Sequence, residues 1–353
     1  MGGSGERWYR AGPKELPMTK AKNLFIALLA ISFLLPGTVS PPQASAESAT
    51  VIRFASLAPA GSAFMKVMKA WNRSLKKGTE NRVELRFYSG GSQGDERDFI
   101  RKVRAGQMDA AGVTTTGLGM VARPVLVLTA PGLIIEYDQL ERAREELDGR
   151  FKKLFKDAGF VHLNWGDAGK NRIFSVHEFA KPSDLKTRRP WAWKDDPVFA
   201  EYISMIGANP VRLGVPEVYP GLQTRMVDTV PASAITAVAL QWYTRLKYMA
   251  KTNFGILIGG AIVKQEKFDE LSEGDQKVLL ETSIRAAKAN DALSRRDDAR
   301  AYRSLISRGM VEVDTASHKA EWDAVAKKTR ENLAGRVYSK SLLDAVEKIV
   351  TSK

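Results

Sequence analysis

Apolar and polar residues follow two different periods along this chain, and the two periods alternate from about residue 51 onward. Residues 51–56 and 83–88 alternate as strands do. Between them, residues 62–75 repeat apolar side chains at helical spacing, namely Phe64, Val67, Met68, Trp71 and Leu75. A second helical pattern covers residues 95–105, and a third strand pattern covers residues 108–113. This β-α-β-α-β order predicts an α/β fold.

The same alternation continues in the second half of the chain. Strand patterns cover residues 160–165, 189–193, 210–213 and 256–263, and helical patterns cover residues 197–206 and 218–226. We place Pro220 in the first turn of the last of these helices, where a missing N–H costs little. Ser272-Glu-Gly-Asp275 has the spacing of a capping box and opens a helical pattern that runs to about Ser307. Such a helix is roughly 50 Å long and can span a pair of small domains.

The length and the first residues indicate an exported protein of two domains. The chain has 353 residues, of which 44% are hydrophobic, enough for two cores. Lys20 and Lys22 precede the apolar run Leu24–Leu35, and small residues follow at Ala44-Ser45-Ala46. This pattern predicts a signal peptide over residues 1–46, with Met18 a more typical start than Met1. We therefore expect the mature protein to start near Glu47, in the periplasm.

The charge and the absence of cysteine limit the partners and the chemistry that this chain can have. Residues 1–46 hold five Lys and Arg and two Asp and Glu, which leaves 49 against 38, or +11, after cleavage. The excess is spread along the chain, so it indicates a solvated basic surface or attraction to anionic ligands. No basic run is interleaved with aromatic residues, and we expect no nucleic-acid partner. With no cysteine there are no disulfides, thiolate metal sites or thiol nucleophiles.

No catalytic or metal-binding motif stands out in the sequence. His162, His177 and His318 lack the spacing of metal ligands, although Asp167 could pair with a histidine in space. There is no G-x-S-x-G elbow, and the glycine-rich segment 90–94 lacks the G-K-[ST] of a phosphate loop. Catalysis by a lysine or a carboxylate pair stays open. We predict no enzyme activity, no metal and no cofactor.

Two stretches resemble the solute-binding proteins of TRAP (tripartite ATP-independent periplasmic) transporters. Residues 217–228, Glu-Val-Tyr-Pro-Gly-Leu-Gln-Thr-Arg-Met-Val-Asp, closely follow that family's pattern E-V-Y-x-A-L-Q-x-G-x-V-D. Residues 184–193 resemble its D-L-K-G-x-K-x-R-x-P, and the Gly90–Glu96 region and Asp109 match further features. The chain resembles the dicarboxylate-binding (DctP) type of the family from Val51 to about Ile306.

The resemblance implies an α/β periplasmic binding protein of two domains, class II-like, with a long helix that spans both. Domain I would comprise residues 47–170 plus 257–297, and domain II residues 171–256 plus 298–353. The two would close by bending near residues 165–171 and 254–260. The implied partners are a small-molecule solute, the membrane subunits of a TRAP transporter and, if present, a further periplasmic protein.

The chain departs from the family pattern where the ligand's carboxylate would be held. Trp191 stands in the place of the arginine that clamps this carboxylate, and Pro231-Ala232-Ser233 replaces the E-N-P whose asparagine braces the arginine. A second ligand-binding arginine aligns with Asn171, although Arg172 is adjacent. Arginine offers a charged fork of donors, whereas tryptophan offers one N–H and a broad apolar face. We therefore expect the usual carboxylate clamp to be missing.

Aromatic and hydroxyl side chains are the candidate ligand contacts. By strand alternation Trp191 and Trp193 point the same way, which predicts an aromatic wall of the cleft, although core residues would show the same pattern. Trp165 stays open between cleft and core. Thr114, Thr115 and Thr116 follow a strand end, where ligands of α/β proteins bind. These three, with Gln93 and Ser233, form either a polar site or a plain polar loop.

These departures predict an uncharged or largely apolar solute, even a lipid-like one. An unpaired buried carboxylate costs several kcal/mol, of order 3–5, when its partner is missing. Two alternatives remain. One is an organic acid held by other basic residues, and the other is a periplasmic enzyme or sensor on the same fold.

Overall fold

The computed structural model describes residues 49–352, so the expected signal peptide lies outside the described residues. The strands are β1 (Thr50–Ser56), β2 (Val83–Tyr88), β3 (Ala110–Thr114), β4 (Phe160–Ser175), β5 (Trp191–Trp193), β6 (Val211–Leu213), β7 (Thr229–Ala232), β8 (Tyr248–Ala250), β9 (Gly255–Lys264) and β10 (Val311–Val313). The helices are α1 (Ala63–Gly78), α2 (Glu96–Arg104), α3 (Thr115–Val121), α4 (Tyr137–Asp157), α5 (Pro197–Ile206), α6 (Val215–Gln223), α7 (Ala234–Ala239), α8 (Gln265–Asp269), α9 (Glu273–Ser307), α10 (Lys319–Leu333) and α11 (Lys340–Thr351). Short 3-10 helices cover Arg123–Thr129, Pro182–Leu185, Trp242–Arg245 and Ala316–His318.

One long strand joins two groups of strands in the main sheet. The order is β10-β8-β4-β9-β3-β1-β2, with β7 also paired to β4. The first part of β4 pairs with β9 as far as Asn171, whereas residues 172–175 pair with β7 and β8. The predicted strand at residues 160–165 therefore continues as far as Ser175, into the second half of the molecule.

Two lobes follow from this sheet, each with apolar clusters on both of its faces. We call residues 50–165 the first lobe, and residues 172–250 plus 311–313 the second lobe. Neighbouring strand residues face opposite sides, so Phe54 and Ala55 belong to different buried clusters. Trp191 and Ala192 are divided between two clusters in the same way. The domain bounds expected from the sequence remain a prediction; α11 packs against α4 of the first lobe.

The predicted helix from Ser272 is α9, and it has the expected length. Its 35 residues correspond to about 52 Å at 1.5 Å per residue. It packs against α1 in the first lobe and α7 in the second. The Ser272 hydroxyl accepts the Asp275 N–H at 3.1 Å. Only this half of the predicted capping box is present, because the Asp275 carboxylate pairs with Arg82 at 2.9 Å instead.

One predicted helix is displaced along the chain. The helix expected over residues 218–226 is α6, which starts at Val215 and ends at Gln223. Pro216 occupies the first turn, and Pro220 lies inside the helix, so its expected place was wrong. The Gly214 N–H donates to the Glu217 carboxylate at 2.7 Å, which fixes the earlier start.

Candidate functional site

The larger of two adjoining cavities lies between the lobes and has a volume of about 470 Å³. Ser56 and Thr114, at the ends of β1 and β3, line it from the first lobe, and Ile235 of α7 lines it from the second. Asn290 contributes from α9. Cavities at the carboxyl ends of strands are where α/β proteins bind ligands. The walls therefore have the placement that a solute site between two lobes requires.

Glu96, the first residue of α2, is a buried carboxyl at this cavity. Its oxygens accept the Thr114 N–H at 2.6 Å, the Gly117 N–H at 2.8 Å and the Thr114 hydroxyl at 3.0 Å. Burial raises the pKa of Glu96 to about 8, against the opposing effect of these donors. A Cβ on Gly117 would lie 2.7 Å from the Glu96 oxygen, so glycine is needed there. Glu96 thus fixes the start of α3 beside the cavity.

Asp167 lies in a buried charge cluster at the same cavity. Its carboxylate pairs with Arg144 of α4 at 2.8 Å and with Arg295 of α9 at 2.7 Å. The Asp167 N–H donates to Asp291 at 2.7 Å. The pKa of Asp291 is raised to about 6, mainly by burial and to a smaller extent by repulsion from Asp167. A register shift separates Asp167 from Lys170 where β4 leaves the first lobe, at one of the expected hinges.

Asp167 has no histidine partner among residues 49–352, so the possible pairing that the sequence left open is not formed. His162 lies on β4 in the core, stacked 4.9 Å from the ring of Phe155, with the tilted ring of Trp165 at 4.3 Å. Burial lowers the pKa of His162 to about 3, so it is neutral at physiological pH. Arginines, which keep their charge when buried, occupy the positions beside Asp167.

The smaller cavity, of about 90 Å³, adjoins the larger one at Thr236 and contains the position of the expected clamp. Trp191 lines it and is only 4% exposed. The Trp191 N–H donates to the Leu213 carbonyl at 3.0 Å, and its ring meets that of Trp242 edge to face at 5.3 Å. Both the face and the N–H of Trp191 are therefore largely committed to the protein itself.

Trp193 lies on the same side of β5 as Trp191, as strand alternation predicted. The two rings are 6.2 Å apart, and both line the smaller cavity. The Trp193 N–H donates to the Asp95 carboxylate of the first lobe at 2.8 Å. The aromatic wall is thus present, but one of its members also holds the two lobes together.

The remaining predicted residues separate into three groups. Thr115, Thr116 and Asn171 line the smaller cavity, whereas Thr114 and Trp165 line the larger one. Gln93, Arg172, Ala232 and Ser233 line neither of these two cavities.

Each residue outside the two cavities has a partner within the protein. The Gln93 side chain accepts a hydrogen bond from Lys102 at 2.9 Å. The Arg172 guanidinium lies 4.7 Å from the centre of the Tyr302 ring. The Ser233 hydroxyl caps α7, and Ala232 pairs with Arg172 across the sheet. The resemblance to the family grouped these residues with the cleft and gave no information on these contacts.

Sequence reasoning missed the polar residues that α9 and β4 bring to the larger cavity. Asn290 and Ser294 lie one turn apart on the buried side of α9, and Asn164 lies opposite on β4. The Asn290 side chain donates to the Asp167 carbonyl at 3.2 Å. The sequence does contain one indication of Asn290 and Ser294: small uncharged polar residues lie on one face of a helix that is otherwise highly charged.

Neither cavity is lined by a basic side chain of the described residues. Glu96, Asp167 and Asp297 line the larger cavity, and Asp196 lines the smaller one. Within residues 49–352 no group of three or more potential metal ligands is found, and no helix is long and apolar enough to cross a membrane.

Residues 54–335 match the family of bacterial extracellular solute-binding proteins, family 7 (DctP). The chain belongs to this family. It is 22% identical over 278 residues to the sialic acid-binding periplasmic protein SiaP of Vibrio cholerae, covering 76% of this chain and 84% of that one. It is 23% identical over 261 residues to a solute-binding protein of Chromohalobacter salexigens, covering 73% and 77% of the two chains.

Solved TRAP periplasmic solute-binding proteins share the fold. One from Roseobacter denitrificans, with bound β-D-glucuronate, has a TM-score of 0.79 at 19% identity, covering 86% of this chain and 99% of that chain. One from Ralstonia eutropha, with bound (S)-2-acetolactate, has a TM-score of 0.81 at 19% identity and the same coverage. The expected α/β fold of two-domain TRAP binding proteins is confirmed.

This protein is therefore a bacterial extracellular solute-binding protein of the DctP family. The named relatives are solute receptors, in agreement with the expectation that this chain is not an enzyme. The solutes of the two solved relatives are acids. They contradict the expectation of a hydrophobic, lipid-like ligand, which rested on Trp191 and Ala232 in the places of the clamping arginine and its brace.

Proposed function

We propose that this protein captures a small, uncharged polar solute in the larger cavity and delivers it to a TRAP transporter. The observation that carries this proposal is the absence of any arginine or lysine from the described lining of both cavities. A carboxylate that leaves water needs a charged partner with hydrogen bonds, or it loses several kcal/mol, of order 3–5. A neutral solute has no such requirement.

Trp191, which we expect at the position of the family's clamp, cannot hold a carboxylate as an arginine would. Trp191 donates its single N–H to the Leu213 carbonyl and has no second donor. Asp196 lines the same cavity, where burial raises the pKa of its carboxyl. Whether protonated or ionised, the Asp196 carboxyl binds a solute carboxylate less well than a guanidinium, which offers positive charge and paired donors.

Polar groups that suit a neutral solute are present at both cavities. The Asn171 side-chain oxygen lies beside the smaller cavity and has no hydrogen-bond partner among residues 49–352. An O–H or N–H of a solute would satisfy it, whereas an ionised carboxylate has only acceptors. Asn164, Asn290 and Thr114 supply amide and hydroxyl groups to the larger cavity.

A second candidate is an organic acid, favoured by the acidic solutes of the relatives. It would have to recruit basic residues that do not line the cavities, such as Arg172 beside the Tyr302 ring or Arg300 beside Asp297. Both pair with aspartates, Asp298 at 3.6 Å and Asp297 at 3.6 Å. An acid would have to compete with these pairs.

A thermal-shift and calorimetry screen tests the proposal. The protein is unfolded and refolded to remove co-purified solute, then titrated with neutral sugars, polyols and amides and with D-glucuronate and succinate. We expect saturable binding of a neutral solute without turnover, and none of the acids. Micromolar binding of an acid by the unmodified protein would refute an uncharged solute.

Three variants locate the site in the same assay. Asn290→Ala should weaken a bound neutral solute by about tenfold, the usual value of one hydrogen bond of ~1.4 kcal/mol. Asn209→Ala, at an exposed loop position, is the matched control and should change nothing. Trp191→Arg should improve binding of the acids, with Trp191→Phe as the control for loss of the indole.

A further inference from the structure

A third cavity, of about 170 Å³, brings together three arginines away from the solute cavities. Arg123, Arg212 and Arg336 line it, with Glu201 as the one carboxylate among the described lining residues. Neither this carboxylate nor the arginines line the larger or the smaller cavity. The excess of two positive charges at one concave surface is unlike the acidic lining of the solute cavities.

The guanidinium groups have donors to spare. Arg212 donates through one nitrogen, Nη1, to the carbonyls of Trp193 at 3.1 Å and Asp196 at 2.9 Å. These carbonyls hold the group in place without neutralising its charge. Within residues 49–352, the Arg123 side chain makes no hydrogen bond or ion pair, and the Arg336 guanidinium lies 3.5 Å from the Glu201 carboxylate. Each guanidinium carries five N–H donors, so most of them remain available.

Arg123 and Arg212 come from different lobes, and Arg336 lies next to a residue packed in the first. Arg123 starts a 3-10 helix whose Val125 is buried in the core of the first lobe, and Val337, next to Arg336, lies in the same cluster. Arg212 lies on β6 of the second lobe. The helix α5 lines this cavity through Ala200 and the smaller solute cavity through Phe199. An anion held here would contact both lobes in their present arrangement.

We propose that this arginine cavity is a binding site for a tetrahedral oxyanion with two negative charges, such as phosphate or sulfate. Planar guanidinium forks match the oxygens of such an anion with paired hydrogen bonds. The net charge of the lining balances a dianion. Because the arginines of both lobes would contact it, the bound anion stabilises the arrangement of the lobes seen here.

Titration at constant ionic strength tests this site. Inorganic phosphate, sulfate and glycerol 3-phosphate are each compared with chloride by calorimetry and thermal shift, with no solute present. We expect saturable binding of at least one dianion and no saturable effect of chloride. Preference for phosphate or sulfate identifies a free oxyanion, and preference for glycerol 3-phosphate identifies a phosphate ester. No dianion effect beyond that of chloride would overturn the proposal.

Arg123→Gln is the informative variant, because Arg123 makes no bond within the described residues that its loss would break. It should weaken dianion binding by about tenfold, the value of a charged hydrogen-bonded contact. Arg73→Gln removes the same charge from an exposed position of α1 and should leave binding unchanged. Equal weakening by both variants would show a general charge effect and would also refute the site.

Discussion

Gly117 is a position where a single methyl group should damage the candidate site. A Cβ there would lie 2.7 Å from both the Glu96 carboxylate and the Val113 Cβ. Two buried groups, neither at the free end of an exposed side chain, would have to move. In Gly117→Ala the Glu96 side chain should shift and lose the N–H bond of 2.8 Å.

The size of the effect follows from these contacts. Loss of the hydrogen bond costs about 1–3 kcal/mol, and overpacking costs about 1–3 kcal/mol. Partial relaxation reduces the sum, so we expect the free energy of unfolding to fall by about 3 kcal/mol. Thr114, which donates two hydrogen bonds to Glu96, should move with it, and solute binding should weaken.

Gly149→Ala is the matched control within the same chain. Gly149 lies in α4, is exposed and has no atom within 4 Å of an added Cβ. Alanine in an exposed helix interior stabilises by about 0.5–1 kcal/mol relative to glycine. Urea denaturation of both variants measures the difference. A Gly117→Ala variant as stable as the unmodified protein would refute the packing argument around Glu96.

Three further predictions concern pH, buried charge and motion. Burial lowers the pKa of His162 to about 3 from an ordinary 6.5. As pH falls below 6.5, the unfolded chain takes up a proton that the folded protein does not, so the folded protein loses stability until the pH reaches about 3. The unmodified protein should therefore lose about 2 kcal/mol more than His162→Phe between pH 7 and pH 5, in denaturation curves at each pH; parallel losses would contradict this. Asp167→Asn removes the buried carboxylate that Arg144 and Arg295 share and should cost about 3–5 kcal/mol. Glu141→Gln, which removes an exposed partner of Arg295, should cost less than about 1 kcal/mol. The hydrogen bond from Trp193 to Asp95 joins the lobes, so Trp193→Phe without solute should have a larger radius of gyration than the unmodified protein in small-angle scattering. An unchanged radius would mean that this bond does not hold the lobes closed.

Local sequence patterns determined the elements of this fold. The alternation of Val83–Tyr88 and the apolar spacing of α1 were sufficient because each depends only on neighbours a few residues away. The hydroxyl of Ser272 and the absence of proline fixed the start and length of α9 in the same way. Motifs shared with the TRAP family then indicated how these elements are arranged, which spacing alone could not do.

Only the tertiary structure decided which side chains meet at the cavities. Trp193 bonds to Asp95 across 98 residues, and Asn290 bonds to the Asp167 carbonyl across 123. The charges around Asp167 come from α4 and α9, which no local pattern connects. The resemblance to the TRAP family predicted that Trp191 lies at the cleft, but the bond that occupies its N–H depends on a carbonyl of another strand.

The elements could be predicted and the site could not, because the first depend on residues near each other in sequence and the second on residues that are far apart. A helix or strand buries one face, so its apolar residues recur every few positions. This periodicity can be read from neighbouring residues in the sequence. The pKa of Glu96, the neutrality of His162 and the lining of each cavity depend on desolvation and on partners that only folding brings within 3 Å. The sequence therefore determined what could line a cleft, and the fold determined what does.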